Sequence, residues 1–168
     1  LVDGVPVTLQ GNIELPQEVE SILAYGAEGI GLYRTEFLYL VGSRLPTEEE
    51  QAAAYTQLAE RIAPNPFVVR TLDLGGDKLS HILNHTPEMN PFLGERAIRL
   101  TLANKELFRV QLRAILRASA GGNVRVMFPM VSGMPELTQA IDLLYAAKKE
   151  LTAEGVAFDE NIPVGAMI

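Results

Sequence analysis

Short apolar runs rich in Val, Ile and Phe alternate along this chain with longer stretches whose apolar residues recur every three or four positions. Runs bounded by Gly, Pro or Asn suit strands of a parallel sheet buried on both faces. They fall at residues 5–13, 29–37, 67–74, 124–130 and 164–168. Met127 and Met130 alternate with Phe128 as strand residues do, which makes Met127 a core residue. Between the first two runs, Pro16 suits a first helical turn, and Val19, Ile22 and Leu23 then share one face before Gly26 ends the segment. Thr47-Glu48-Glu49-Glu50 is a capping box, in which Thr47 and Glu50 satisfy each other's free N–H groups. Three carboxylates at the positive end of that helix dipole read as capping and solvation rather than catalysis. Two further helices are expected over residues 94–102 and 104–118. Asn104 is the N-cap of the second, and Leu107, Phe108, Leu112, Ile115 and Leu116 form its buried face. Gly121-Gly122-Asn123 turns the chain into the fourth strand. A last helix over residues 135–153 carries Leu137, Ile141, Leu144, Tyr145 and Leu151 as its buried stripe.

The order β-α-β-α-β-α-α-β-α-β predicts an α/β protein with a parallel sheet and right-handed crossovers. An open doubly wound sheet and a closed (β/α)8 barrel both fit it. Neither G-x-G-x-x-G nor G-x-x-x-x-G-K-[ST] follows a strand, so the usual marks of an open nucleotide-binding sheet are missing. Residues 75–91 form a loop long enough to suggest a functional role.

Composition narrows the function classes. The 168 residues suit about one domain, with 14 Lys and Arg against 21 Asp and Glu and a net charge of −7. That balance disfavours nucleic-acid binding, which needs a field of cations to displace counterions from phosphates. The chain has no cysteine, hence no disulfide, thiolate zinc site or cysteine nucleophile, in keeping with a cytoplasmic location. No apolar run reaches the roughly 18 residues of a membrane span.

The candidate chemistry lies at strand ends. Arg34 closes the run Gly29-Ile30-Gly31-Leu32-Tyr33, followed by Thr35 and Glu36, and Arg70 closes Phe67-Val68-Val69, followed by Thr71 and Asp73. Two strands thus deliver Arg-Thr at the same depth. A charged group inside a parallel strand needs a partner, either a carboxylate of the protein or an anionic ligand. Two guanidinium forks at the C-terminal ends of barrel strands suit a phosphate. Alternatively, Arg34 pairs with Glu36 or Asp73 and the arginines only tie strands together. Spacing leaves both readings open. Gly75-Gly76-Asp77-Lys78 can bring backbone N–H groups and Lys78 to a bound anion, or be an ordinary surface turn. Of Arg96 and Arg99, one is expected to face the site and the other solvent. His81 and His85 are four apart, but Asn84 and Pro87 argue against a helix that would turn them into metal ligands, and they read as loop residues.

Gly31-Leu32-Tyr33-Arg34-Thr35-Glu36-Phe37, Leu45-Pro46-Thr47-Glu48-Glu49-Glu50-Gln51, Arg70-Thr71-Leu72-Asp73-Leu74-Gly75-Gly76-Asp77-Lys78, Asn90-Pro91-Phe92-Leu93-Gly94 and Arg125-Val126-Met127-Phe128-Pro129-Met130 together resemble the phosphoenolpyruvate-binding barrel of the Enzyme I family, the phosphotransferases of bacterial sugar uptake. The words recur in order over essentially the whole chain. The resemblance implies a TIM-type (β/α)8 barrel of which residues 1–168 would be the N-terminal portion, about five strands and four crossovers, since complete barrels run to roughly 250 residues. It also implies that Arg34 and Arg70 contact the substrate phosphate, with Lys78, Asn90 and Arg96 as supporting pocket residues.

Further implications concern the whole enzyme. Such enzymes pass the phosphoryl group of phosphoenolpyruvate to a histidine of their own N-terminal domain and on to a histidine-containing carrier protein, use Mg²⁺, and form homodimers in the cytoplasm. The magnesium-binding Glu is expected just after Ile168, and the other metal ligands and a catalytic Cys further on. His81 and His85 do not match the phosphohistidine word. A chain with this content is expected to be inactive by itself. The rival reading is a non-catalytic module that senses a phosphorylated metabolite.

Overall fold

The computed structural model describes residues 3–42, 44–75 and 96–168. Five strands form one sheet in the order β1-β2-β3-β4-β5, every neighbouring pair parallel: β1 Gly11–Ile13, β2 Ile30–Arg34, β3 Phe67–Arg70, β4 Val124–Phe128 and β5 Val164–Ala166. The crossovers contain α1 Glu18–Ala24, α2 Glu36–Leu40, α3 Glu48–Ile62, α4 Ile98–Ala103, α5 Lys105–Ala118 and α6 Met134–Ala153, with a 3₁₀ turn at Ser119–Gly121. Each parallel pair needs a crossover, and here helices supply it, as the alternating pattern predicts.

Helices cover one face of the sheet. Ile13, Ile30, Tyr33, Phe67, Val69, Val124, Val126 and Phe128 are buried there against Tyr55, Leu58 and Ile62 of α3, Phe108, Leu112 and Ile115 of α5, and Leu144 and Leu151 of α6. Edge-on aromatic contacts stitch the layers, Tyr33 to Tyr55 at 6.1 Å and Phe108 to Phe128 at 5.9 Å between ring centroids. The opposite face is partly or fully exposed at Asn12, Leu32, Val68, Arg125, Met127 and Gly165. The expected burial on both faces is therefore met on one, because five strands form an open sheet and only closure into a barrel would cover the other. Met127 belongs to that open face and not to the helix-covered core.

Several expected boundaries move for local reasons. Residues 5–10 are not strand, and Val5, Val7 and Leu9 are exposed. Thr35 adopts helical angles (φ −83°, ψ −5°) and starts α2, so the second run turns at Arg34 instead of extending to Phe37. The third strand ends at Arg70: Thr71 N–H makes a last backbone bond to Met127 O, and the donors after it turn to side chains, Leu72 N–H to Gln111 Oε1 and Asp73 N–H to Glu36 Oε1. The fourth stops at Phe128, ahead of Pro129, which has no N–H to give.

The helix starts divide likewise. The Thr47 capping box is formed, with Thr47 N–H to Glu50 Oε2 at 2.8 Å and Glu50 N–H to Thr47 Oγ1 at 3.2 Å. Asn104 does not cap α5, because its Nδ2 donates backward to Leu100 O and closes α4 instead. On α6 the buried stripe is Ala140, Leu144, Ala147 and Leu151, and Tyr145 is 59% exposed. The small alanines on the buried side let the helix sit close to its neighbours. Glu48 also does more than end a helix: with Glu150 and Glu154 it grips Arg113 of α5, which is mostly buried, and it takes Arg117 as well, tying α3, α5 and α6 together.

Candidate functional site

Arg34 and Arg70 are register partners at the C-terminal ends of β2 and β3. Met127 of β4 pairs with Arg70 and Gly165 of β5 pairs with Met127, so one level of the open face reads Arg, Arg, Met, Gly across four strands. The equal depth of the two arginines is thus a property of the sheet.

Their surroundings differ. Arg70 is held on two sides: its Nη2 lies 3.1 Å from Glu36 Oε1 and its Nη1 3.0 Å from Asp73 Oδ2, with the three side chains 12%, 10% and 6% exposed. Glu36 reaches this position because α2 starts immediately after Thr35, and its Oε1 also accepts from Asp73 N–H at 2.9 Å. Asp73 is shared, since its Oδ1 accepts from Arg96 Nε at 3.0 Å. Arg70 Nε is buried with no hydrogen-bond partner among the described residues. Arg34 pairs with neither Glu36 nor Asp73. Its Nη2 lies 3.0 Å from Glu14 Oε2, just past β1, and the two side chains are 45% and 35% exposed. The expected partners, Glu36 and Asp73, are both turned toward Arg70, and Arg34 ties β2 to the end of β1 through Glu14 instead.

Arg96 therefore joins the cluster, while Arg99 turns away to Glu136 and Ser132. A pocket of about 440 Å³ opens beside them at the ends of β4 and β5, lined by Arg96, Arg99, Met130, Val131, Ser132, Met167 and Ile168. Lys78 and Asn90, with His81 and His85, lie outside the described residues. Beneath the cluster, burial pushes the Tyr33 phenol up to about 12, and the nearby charges of Glu36 and Glu14 act in the same direction. It stays a neutral hydroxyl.

The sequence words did not reveal Glu14, Gln51 or Gln111. Gln111 breaks the apolar face of α5 between Phe108 and Leu112, and Gln51 does the same beside Ala52 and Tyr55 on α3. A glutamine on a face that must be buried needs buried partners, and that was the available signal.

In chemical terms the cluster offers guanidinium donors at the C-terminal ends of parallel strands, where such folds bind ligands, with Arg34 half open to solvent and Arg70 buried. Among the described residues no three acidic or imidazole side chains gather to hold a cation. Glu36 and Asp73 are committed to Arg70.

Comparison with known proteins bears on the same residues. The whole chain, residues 1–168, matches the family described as PEP-utilising enzyme, PEP-binding domain. The chain belongs to this family. It is 53% identical over 166 residues to the phosphoenolpyruvate-protein phosphotransferase of Geobacillus stearothermophilus and 49% identical over 167 residues to that of Staphylococcus aureus. It is also 49% identical over 166 residues to the protein of that name from Bacillus subtilis. In each case 99% of this chain aligns with 29% of the relative, so the chain spans less than a third of the length of these relatives. The resemblance to Enzyme I carried by the short motifs holds from end to end.

Proposed function

We propose that this chain is the phosphoenolpyruvate-binding portion of a phosphoenolpyruvate-protein phosphotransferase, and that Arg34 and Arg70 bind the substrate phosphate. The observation that carries the reading is the register pairing of the two arginines at the strand ends in a member of the PEP-binding family. Phosphoryl transfer depends on positioning and on neutralising charge on the equatorial oxygens, which is what preorganised guanidinium donors supply. Arg70, fixed by Glu36 and Asp73, is held in place without further ordering. Arg34 exchanges its exposed pairing with Glu14 for the ligand. Arg96, braced by Asp73, lines the adjoining pocket, and Lys78 and Asn90 complete the anion-binding side.

In the whole enzyme the phosphoryl group passes to a histidine of its own N-terminal domain and then to a histidine-containing carrier protein in sugar uptake, in a cytoplasmic homodimer. Magnesium belongs to that enzyme. The described residues do not fit it, for want of a cluster of cation ligands. This chain alone is expected to bind without turnover. Among the described residues, no helix is long and apolar enough to cross a membrane.

Calorimetric titration of the chain with phosphoenolpyruvate, and with pyruvate as the analogue lacking phosphate, tests the reading. Binding of the first and not the second supports it. Equal binding of both, or of neither, overturns it. Loss of phosphoryl transfer by the whole enzyme on Arg34→Ala separates this reading from the sensing module, which would bind phosphoenolpyruvate without passing the group on.

A further inference from the structure

Gln111 is 1% exposed, on the helix behind the arginine cluster, and every polar hydrogen and one lone pair of its amide are in use. Its Oε1 accepts from Leu72 N–H at 3.0 Å, and its Nε2 donates to Thr35 Oγ1 at 3.2 Å and to Tyr55 OH at 3.4 Å. Thr35 spends its own hydrogen on Arg70 O at 3.1 Å, and Tyr55 spends its on Gln51 Oε1 at 3.1 Å, where Tyr39 OH also donates. Each hydroxyl thus accepts from Gln111 and donates onward, so the proton count closes in only one direction. A flipped amide would set Nε2 against the Leu72 N–H, donor against donor.

The two points that Gln111 ties, the Thr35 hydroxyl and the Leu72 N–H, are telling. Thr35 follows Arg34 directly, and Leu72 lies two residues beyond Arg70 and one before Asp73. One side chain therefore clamps the exits of both arginine-bearing strands, at positions where neither exit continues a strand ladder. Isolated hydrogen bonds of this kind set where the guanidinium groups start from.

We infer that Gln111 is a positioning residue for the anion site: it holds the exits of β2 and β3 in the spacing that lets Arg34 and Arg70 share one phosphate. This rests on the proposed phosphate-binding role of the two arginines. It touches no ligand itself.

Two substitutions separate positioning from packing. Gln111→Met keeps the volume and removes every hydrogen bond, whereas Gln111→Glu keeps an acceptor for Leu72 N–H and brings a carboxyl into a buried place. For Gln111→Met, amide hydrogen exchange at Leu72 in the ligand-free chain is expected to rise at least about tenfold while Val126 in β4 stays protected. Phosphoenolpyruvate affinity by calorimetry is expected to fall roughly tenfold. For Gln111→Glu, both quantities are expected to lie nearer the unaltered chain even though the protein is less stable. Unchanged exchange at Leu72, unchanged affinity in the Met variant, or a Glu variant that binds no better than Met would each overturn the inference.

If Gln111→Met does not fold, Thr35→Val, which removes the hydroxyl between Gln111 and the Arg70 carbonyl, decides the matter in the same way: reduced affinity supports the inference and full affinity overturns it. Failure of the unaltered chain to bind phosphoenolpyruvate would count against the phosphate reading, whereas full binding by the variants would count against Gln111 alone.

Discussion

Arg34 and Arg70 occupy matching places in matching words of sequence, yet their removal should have very unequal consequences for stability. Arg70→Ala leaves Glu36 and Asp73 in surroundings where they are 10% and 6% exposed. Breaking a buried ion pair by removing one partner costs about 3–5 kcal/mol. The lower end applies here, because Asp73 keeps Arg96 and Glu36 keeps the Asp73 N–H. With a urea dependence of about 2 kcal/mol/M for a chain of this size, the unfolding midpoint should fall by about 1.5 M. Arg34→Ala breaks a pair whose members are 45% and 35% exposed. Such pairs contribute roughly 0–1 kcal/mol, so its midpoint should move by less than about 0.5 M. Urea titration followed by circular dichroism reads both values. The double variant Arg70→Ala with Glu36→Gln should recover part of the loss, since it also removes one stranded charge. Equal midpoint shifts for Arg34→Ala and Arg70→Ala would refute the assignment of a structural role to Arg70 alone.

Two further outcomes are expected. Burial pushes the Glu48 carboxyl up, but hydrogen bonds from Arg113 and Arg117 outweigh it and hold it below the usual range; Arg113 does the same for Glu154, and Arg44 with the Thr47 N–H brings Glu50 down to about 2. Carboxyls held lower in the folded state than in the unfolded one contribute stability that is complete above about pH 5 and drains as pH falls toward about 2. The thermal midpoint should therefore drop over that interval, and Glu48→Gln should flatten the fall; an identical slope in the variant would contradict the role of the helix clasp. On α6, Leu144→Ala should cost about 2–5 kcal/mol and Tyr145→Ala no more than about 0.5 kcal/mol. The reverse ranking in chemical denaturation would show that the helix is rotated from the position described.

Much of the fold was legible because period and order are enough to fix it. Alternating strand runs and helical stretches predict parallel strands with helical crossovers, and the capping box at Thr47 marks a helix start by chemistry that acts within four residues. The boundaries that moved are those where a distant group intervenes. Residues 71–74 have the apolar character of a strand, but Gln111 and Glu36 take backbone donors there, and neither is near them in sequence. Asn104 has the identity of an N-cap, yet the short helix before it offered a carbonyl first. For the site, the two arginines were visible as charges interrupting strand ends. Glu36 and Asp73 were visible as candidate partners, but that both serve Arg70 while Glu14 serves Arg34 follows only from the path the chain takes after β1 and β2. The pairing of Arg34 with Glu14 in particular depends on β1 lying beside β2, a fact of topology that no local pattern carries.

On the proposed reading, Arg34 is kept at the mouth of the sheet for a phosphate and not for the fold. Titration of Arg34→Ala with phosphoenolpyruvate in a calorimeter, alongside its urea midpoint, tests this directly. Hydrogen bonds to a charged group are each worth about 1.5–3 kcal/mol, so loss of the fork should weaken binding by about tenfold or more. The expected result is that weakening with the midpoint unchanged. Binding as tight as in the unaltered chain, by a variant that is equally stable, would contradict the claim.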